Sequence, residues 1–202
     1  KSVTYNVWDL KRLQKYVEQG QAREDLVIDL EKDFGGSIPI LKAFGGDAAL
    51  ESYLAVINGD QLANIYNKWG ARLLESNVRS FLQARGNVNR GIRDTIAKEP
   101  HMFLPYNNGI TATADAVTIS KTGDGLVLSS VENLQIVNGG QTTASLHAAM
   151  KTAPEQLKNV YVQMKLNIVP KEQSEDVVPK ISEYANTQNK VNAADFFSNH
   201  PF

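Results

Sequence analysis

Cysteine is absent from the chain. That removes disulfides, thiolate zinc sites and cysteine nucleophiles together, and it accords with a reducing cytoplasm, where we expect the protein to work. No apolar run approaches the roughly 20 residues of a membrane-spanning helix, and nothing has the build of a signal peptide, so no membrane partner is expected. Charge of one sign is missing too: 21 Lys and Arg face 22 Asp and Glu, a net charge of −1. Contact with nucleic acid would therefore have to come from a local patch. Histidine is scarce, with only His101, His147 and His200. No two of them stand at metal-ligand spacing, and no Gly-x-Ser-x-Gly elbow occurs. His147, inside an expected helix, reads as a packing residue rather than a site residue.

What is present is enough for a full core: 202 residues, 42% of them hydrophobic, as one large domain or a domain with a smaller appendage. The chain runs from Lys1 to Phe202, and we expect a piece of a longer protein. Leu10, Leu13 and Val17 have helical spacing. Leu26–Leu30, Ile38–Phe44 and Tyr53–Ile57 are short apolar runs bounded by Gly pairs or Asn-Gly, which reads as strands. Asp60 precedes Leu62, Ile65 and Trp69 as the expected N-cap of a helix ending near Gly70. Ile110–Ile119 reads as one strand, and Gly123-Asp124-Gly125 as a hairpin returning through Leu126–Val131. In Val160–Val169 the side chains Val160, Val162, Met164, Leu166 and Ile168 alternate with Tyr161, Gln163, Lys165 and Asn167. That pattern predicts a strand with one core face and one wetter face. On a strand Asp29, Glu31 and Asp33 would share a face able to hold magnesium, although Lys32 would project from the other.

Three stretches are rich in Asn, Gln and Gly. Asn107-Asn108-Gly109 suits a turn needing positive φ. Asn138-Gly139-Gly140-Gln141-Thr142 joins a strand, Leu134–Val137, to a helix, Thr142–Met150. There the glycines free backbone N–H groups, and the helix N-terminus adds partial positive charge, a combination that receives phosphate. It lacks the Lys of a Walker A loop and the spacing of a dinucleotide fingerprint, and a tight capped connection would look the same. Asn186, Gln188 and Asn189 follow a helical stretch containing Ile181 and Tyr184, where Pro179 is tolerable only near the first turn. Amide side chains can read a base edge or bridge sugar and phosphate, and they also satisfy loop backbone. Between Lys68 and Lys98 basic residues dominate. Arg79, Arg85, Arg90 and Arg93 are either part of solvated helix faces or a phosphate-facing patch.

Asn77-Val78-Arg79-Ser80-Phe81-Leu82, Asn107-Asn108-Gly109-Ile110-Thr111, Ile136-Val137-Asn138-Gly139-Gly140-Gln141-Thr142, Ala185-Asn186-Thr187-Gln188-Asn189 and Asp195-Phe196-Phe197 occur in this order. The set resembles the AIPR family, abortive phage infection proteins of bacterial defence loci, over roughly residues 53–202. The resemblance implies a cytoplasmic bacterial protein of phage resistance, encoded near restriction or DNA-processing genes, with a chain continuing past Asp-Phe-Phe. It implies no agreed reaction. A weaker similarity, a strand, a Gly-Gln loop, a helix and a later Asn-Thr-Gln segment, points to the DGQHR proteins and the ParB–sulfiredoxin group. In that group the Gly loop surrounds phosphate; here Thr142 and Thr143 stand where it tends to place His and Arg.

The expectation is an α/β (α+β) chain with a mixed sheet flanked by helices, an N-terminal subdomain over residues 1–46 and a core over 47–202. Its function is expected to be binding or sensing of nucleic acid or a nucleotide through Asn107, Asn108, Asn138, Gly139, Gly140, Gln141, Thr142, Asn186, Gln188 and Asn189. Other proteins of a defence or restriction locus would supply the damaging chemistry. The alternative is a phosphoesterase or nuclease whose metal, magnesium, is recruited by carboxylates such as Asp195 or Glu183; no other cofactor is read from the sequence.

Overall fold

The computed structural model describes residues 25–43, 50–74 and 87–187, with 87–89 as backbone alone. Strand β1 (Val27–Asp29) runs into a one-turn helix α1 (Leu30–Asp33), then β2 (Ile38–Lys42), β3 (Glu51–Asn58) and helix α2 (Gly59–Trp69). Helix α3 (Asn87–Lys98) and the short α4 (Phe103–Tyr106) lead into β4 (Ile110–Ala114), β5 (Ala116–Thr122), β6 (Gly125–Glu132) and β7 (Gln135–Asn138). Helix α5 (Gly140–Thr152), the short α6 (Pro154–Leu157), β8 (Tyr161–Ile168) and α7 (Lys171–Thr187) complete the order.

The described strands form one mixed sheet, as the sequence predicts. β5 pairs one edge of β6, and β1 and β2 share the other, so residues 27–42 are hydrogen-bonded into the same sheet as the core strands. The sheet then continues β2-β3-β8-β4-β7. Its centre is the antiparallel ladder of β3 and β8, from Glu51↔Ile168 to Asn58↔Tyr161. β8 with β4 is the one parallel ladder among the described strands.

Alternation decides the layers. Ala55, Ile57, Val162, Met164, Leu166, Ala112 and Ile136 point to one face, and there Leu62 and Ile65 of α2, Ile92 and Ile96 of α3, and Leu146 of α5 close over them. Each such Ile or Leu contributes about 1.5–3 kcal/mol by leaving water. Among the described residues, the opposite face is covered toward its β7 end. There α7 lays Val178, Val177 and Ile181 on Val137 and Val169. Over β2, β3 and the first residue of β8 no described element covers that face, and Leu41, Leu54, Val56 and Tyr161 are exposed.

Several local expectations are corrected. Leu30 opens a helix instead of ending a strand, because the Asp29 side chain accepts from Lys32 N at 3.0 Å and caps it. Asp29, Glu31 and Asp33 therefore do not share a strand face, and Asp33 pairs with Lys68 at 2.9 Å. Asn58, not Asp60, caps α2, accepting from Asp60 N at 2.9 Å. The run Ile110–Ile119 breaks at Asp115, whose N–H bonds Glu132 O, turning β4 into β5. Helix α5 begins two residues early, at Gly140. Pro179 sits inside α7, not in its first turn. The expected helix near Leu10–Gln19 lies outside the described residues, as does the rest of the first 46 apart from 25–43.

Candidate functional site

Two glycines bring the first two amide-rich segments together. Gly109 has φ +75°, and a Cβ there would run into the Gln163 carbonyl of β8. Gly139 has φ +90°, and a Cβ there would lie 2.6 Å from Ile110 Cγ2 and 2.8 Å from Gly109 O. L-residues avoid positive φ, and here backbone also meets backbone, so only glycine fits. Both glycines therefore stand at one corner of the sheet, where β4 begins and β7 ends.

Beyond Gly139 the chain turns into α5. The first helical bond runs from Thr143 N to Gly139 O, 3.1 Å, and the Thr143 hydroxyl donates to the same carbonyl at 3.2 Å. The amides of Gly140, Gln141 and Thr142 precede that bond, so the helix leaves them unused, at the positive end of its dipole. Gly140, Thr142 and Thr143 are buried, whereas Gly139 and Gln141 are half-buried. Access to the loop is thus from the Gly139–Gln141 side.

The third segment joins the same corner. A register shift between Thr111 and Ala112 sets Thr111 opposite Asn138. A bulge of this kind re-aims side chains locally, and Asn138 Nδ2 donates to Ala185 O at 2.8 Å and to Asn186 Oδ1 at 2.9 Å. Asn186 Nδ2 donates in return to Val137 O, 3.0 Å, and to Ser182 O, 2.7 Å. The two asparagines lock the last turn of α7 to the end of β7. Asn107 is likewise engaged, its Nδ2 donating to Phe103 O at 2.9 Å as it ends α4. Asn108 is exposed and Gln141 half-buried.

Truncating Asn138 or Asn186 to Ala should each cost about 1–2 kcal/mol. The double variant should cost less than the sum by about 1 kcal/mol, since the partners are shared. Urea unfolding of the four proteins checks this; strict additivity would mean the lock is not made in solution.

Gln188, Asn189, Arg79 and Arg85 lie outside the described residues. Arg90 and Arg93 are exposed on α3, whose Ile92 and Ile96 face the core. His147 packs between helices: its Nε2 is 3.2 Å from Asn67 Oδ1, and its ring meets Tyr66 edge-on at 5.3 Å. Burial pushes the Tyr66 phenol above its usual pKa. Glu183 is exposed on α7, Asp195 is outside the described residues, and among the described residues no three His, Asp or Glu side chains gather to hold a metal ion.

One feature escaped the sequence reading. Where α7 lies on β4 and β8, an open groove of about 290 Å³ is lined by Thr111, Lys165, Asn167, Lys180, Ile181 and Tyr184, with Val177 and Ala185 behind. The signal was present in two halves. Val177, Lys180, Ile181, Tyr184 and Ala185 have helical spacing, and Lys165 with Asn167 belongs to the wet face of β8, but nothing in sequence says that these two faces meet.

A family model described as AIPR protein matches residues 74–202, well over half of the chain. No curated protein and no solved structure matches, so the weaker likeness to the DGQHR and ParB–sulfiredoxin proteins finds no support.

Proposed function

The chain belongs to the AIPR family, and from that premise we propose that it is the part of an abortive-infection protein that grips nucleic acid or a nucleotide. Membership supports the coarser role, bacterial defence against phage. The finer reading rests on one observation: three amide-rich segments, distant in sequence, meet at a single corner of the sheet through Gly109, Gly139 and the Asn138–Asn186 pair. A phosphate there would meet the amides of Gly140 and Gln141 at a helix N-terminus, with the Gln141 and Asn108 side chains beside it. The remaining asparagines act as the frame, since Asn107, Asn138 and Asn186 spend their side-chain donors on backbone and on each other. Damaging chemistry then belongs to other parts of a longer protein or to partners of the same defence locus, in the bacterial cytoplasm.

Incubating the 202-residue chain with labelled DNA, RNA and nucleotides, with and without magnesium, tests this. The expected result is retention without product, weakening as salt rises. Replacing Asn108 and Gln141 together by Ala should weaken retention about tenfold, as losing one bond to a charged group does, while leaving the unfolding midpoint nearly unchanged. Retention by no ligand at low salt would sink the proposal. Magnesium-dependent turnover lost on Asp195→Ala would replace it with the phosphoesterase reading.

A further inference from the structure

The groove under α7 combines features that the amide corner lacks. Two ammonium groups line it, Lys165 from β8 and Lys180 from α7, and no carboxylate is in the lining among the described residues. The carboxylates of α7, Glu172, Glu175, Asp176 and Glu183, lie outside the lining. Thr111 and Asn167 share that lining and bring a hydroxyl and an amide to it. Asn167 is buried and held in place by Ser52 Oγ, 2.8 Å, and by Ala112 O, 3.3 Å. Tyr184, also in the lining, is 66% exposed, far more than a packing aromatic would be. Val177 and Ile181 give the floor an apolar side. Two cations, a hydroxyl and an exposed ring around one groove fit a ligand that carries phosphate and a flat base together.

Register connects this groove to the amide corner. Lys165 stands beside Thr111 in the β4–β8 ladder, and Thr111 beside Asn138 in the β4–β7 ladder. Two inter-strand spacings amount to about 10 Å, a span that successive phosphates of one strand can bridge and a single phosphate cannot. A single strand could therefore lie across the sheet end with one phosphate in the groove and another at Gly140. A mononucleotide could fill only one of these places.

We infer that the Lys165–Lys180 groove is a second seat for single-stranded nucleic acid, continuous with the Gly139–Gln141 corner. It takes phosphate between the two lysines and stacks a base on Tyr184. This rests on the nucleic-acid reading given above and names its substrate class: a single strand rather than a free nucleotide or a duplex.

The test uses the 202-residue chain and a fluorescein-labelled 12-nucleotide oligothymidylate, titrated at two salt concentrations. Replacing Lys165 and Lys180 together by Gln removes the charge and keeps a polar side chain of nearly the same reach. It should weaken binding at least tenfold and lower the salt slope by about 0.7, the share of the one phosphate held between the lysines. Arg at both positions should bind like the parent. Tyr184→Ala should weaken binding about tenfold, and Tyr184→Phe should not, because stacking needs the ring alone. If the parent binds the oligomer and the Gln pair binds it equally with the same slope, the groove is not a seat, though the amide-corner reading survives. If the parent binds neither oligomer nor nucleotide, both fall. Equal competition by an acidic peptide of the same charge, or binding of thymidine monophosphate as tightly as the oligomer, would also overturn the single-strand assignment.

Discussion

Alanine at Gly109 is expected to cost about 4 kcal/mol or more, the exceptional end of what single substitutions do. Two effects add. The left-handed backbone, φ +75°, costs an L-residue about 1–2 kcal/mol. The larger part is steric: the new methyl would enter the Gln163 carbonyl, and Gln163 C would be 2.9 Å away. Those atoms belong to β8, the strand between β3 and β4, so they cannot swing aside as a side-chain end would. Gly35 provides the internal control. Its φ is +83°, but a Cβ there meets nothing within 4 Å, so Gly35→Ala should show the backbone cost alone. Urea midpoints of the two variants measure the difference; equal losses would mean that Gly109 does not press on β8. Since domains are stable by only about 5–15 kcal/mol, Gly109→Ala should remove a quarter or more of the protein's stability.

Asn133→Ala should cost about 3 kcal/mol. Asn133 is the one non-glycine among the described residues with positive φ, +54°. It ties together three turns. Its Oδ1 accepts from Leu26 N at 2.8 Å, and its Nδ2 donates to Asp115 Oδ2 at 2.8 Å and to Asp25 Oδ1 at 3.1 Å. Its own N–H donates to Leu26 O at 2.8 Å, closing the pair of backbone segments. Alanine keeps only that last bond, strands the part-buried Leu26 N–H, and adds the left-handed strain. Glycine relieves the strain but not the lost bonds, so Asn133→Gly should recover about 1 kcal/mol of the loss. Thermal or urea unfolding of the pair decides it. Alanine no worse than glycine would show that the hydrogen bonds, and not the backbone angle, set the residue.

Neither residue's importance follows from its neighbours in sequence. Asn133 is a lone Asn between two apolar runs, and its partners Asp25 and Asp115 are remote along the chain. Gly109 in Asn-Asn-Gly was legible as a positive-φ turn, but not as a point of contact with Gln163. What did read through was periodicity. The alternation of residues 160–168 appears as buried Val162, Met164 and Leu166 opposite exposed Tyr161, Gln163 and Lys165. Asn167 departs from that rule, buried because α7 and Ser52 cover it. Short-range competition explains the other departures. A capping Asp29 turned the end of an apolar run into a helix, and Asp115 bent a Thr/Ala/Val run into two strands. Of the candidate site, the sequence marked the three amide-rich segments. The groove was hidden because a helix face and a strand face, each ordinary alone, acquire meaning only by meeting.

The place of β8 in the sheet has a consequence for how the protein is made. This strand lies between β3 and β4, yet it is translated about a hundred residues after β3, whose Tyr53 it meets through Leu166. At about 5–20 residues per second, a ribosome takes roughly 5–20 s to cover that gap. Once β4 is complete at Ala114, the nascent chain carries two apolar strands that lack their shared neighbour until β8 emerges. The middle of the sheet is therefore the last part to close, and early termination before residue 161 leaves a gap at the centre rather than a shorter version of the same molecule.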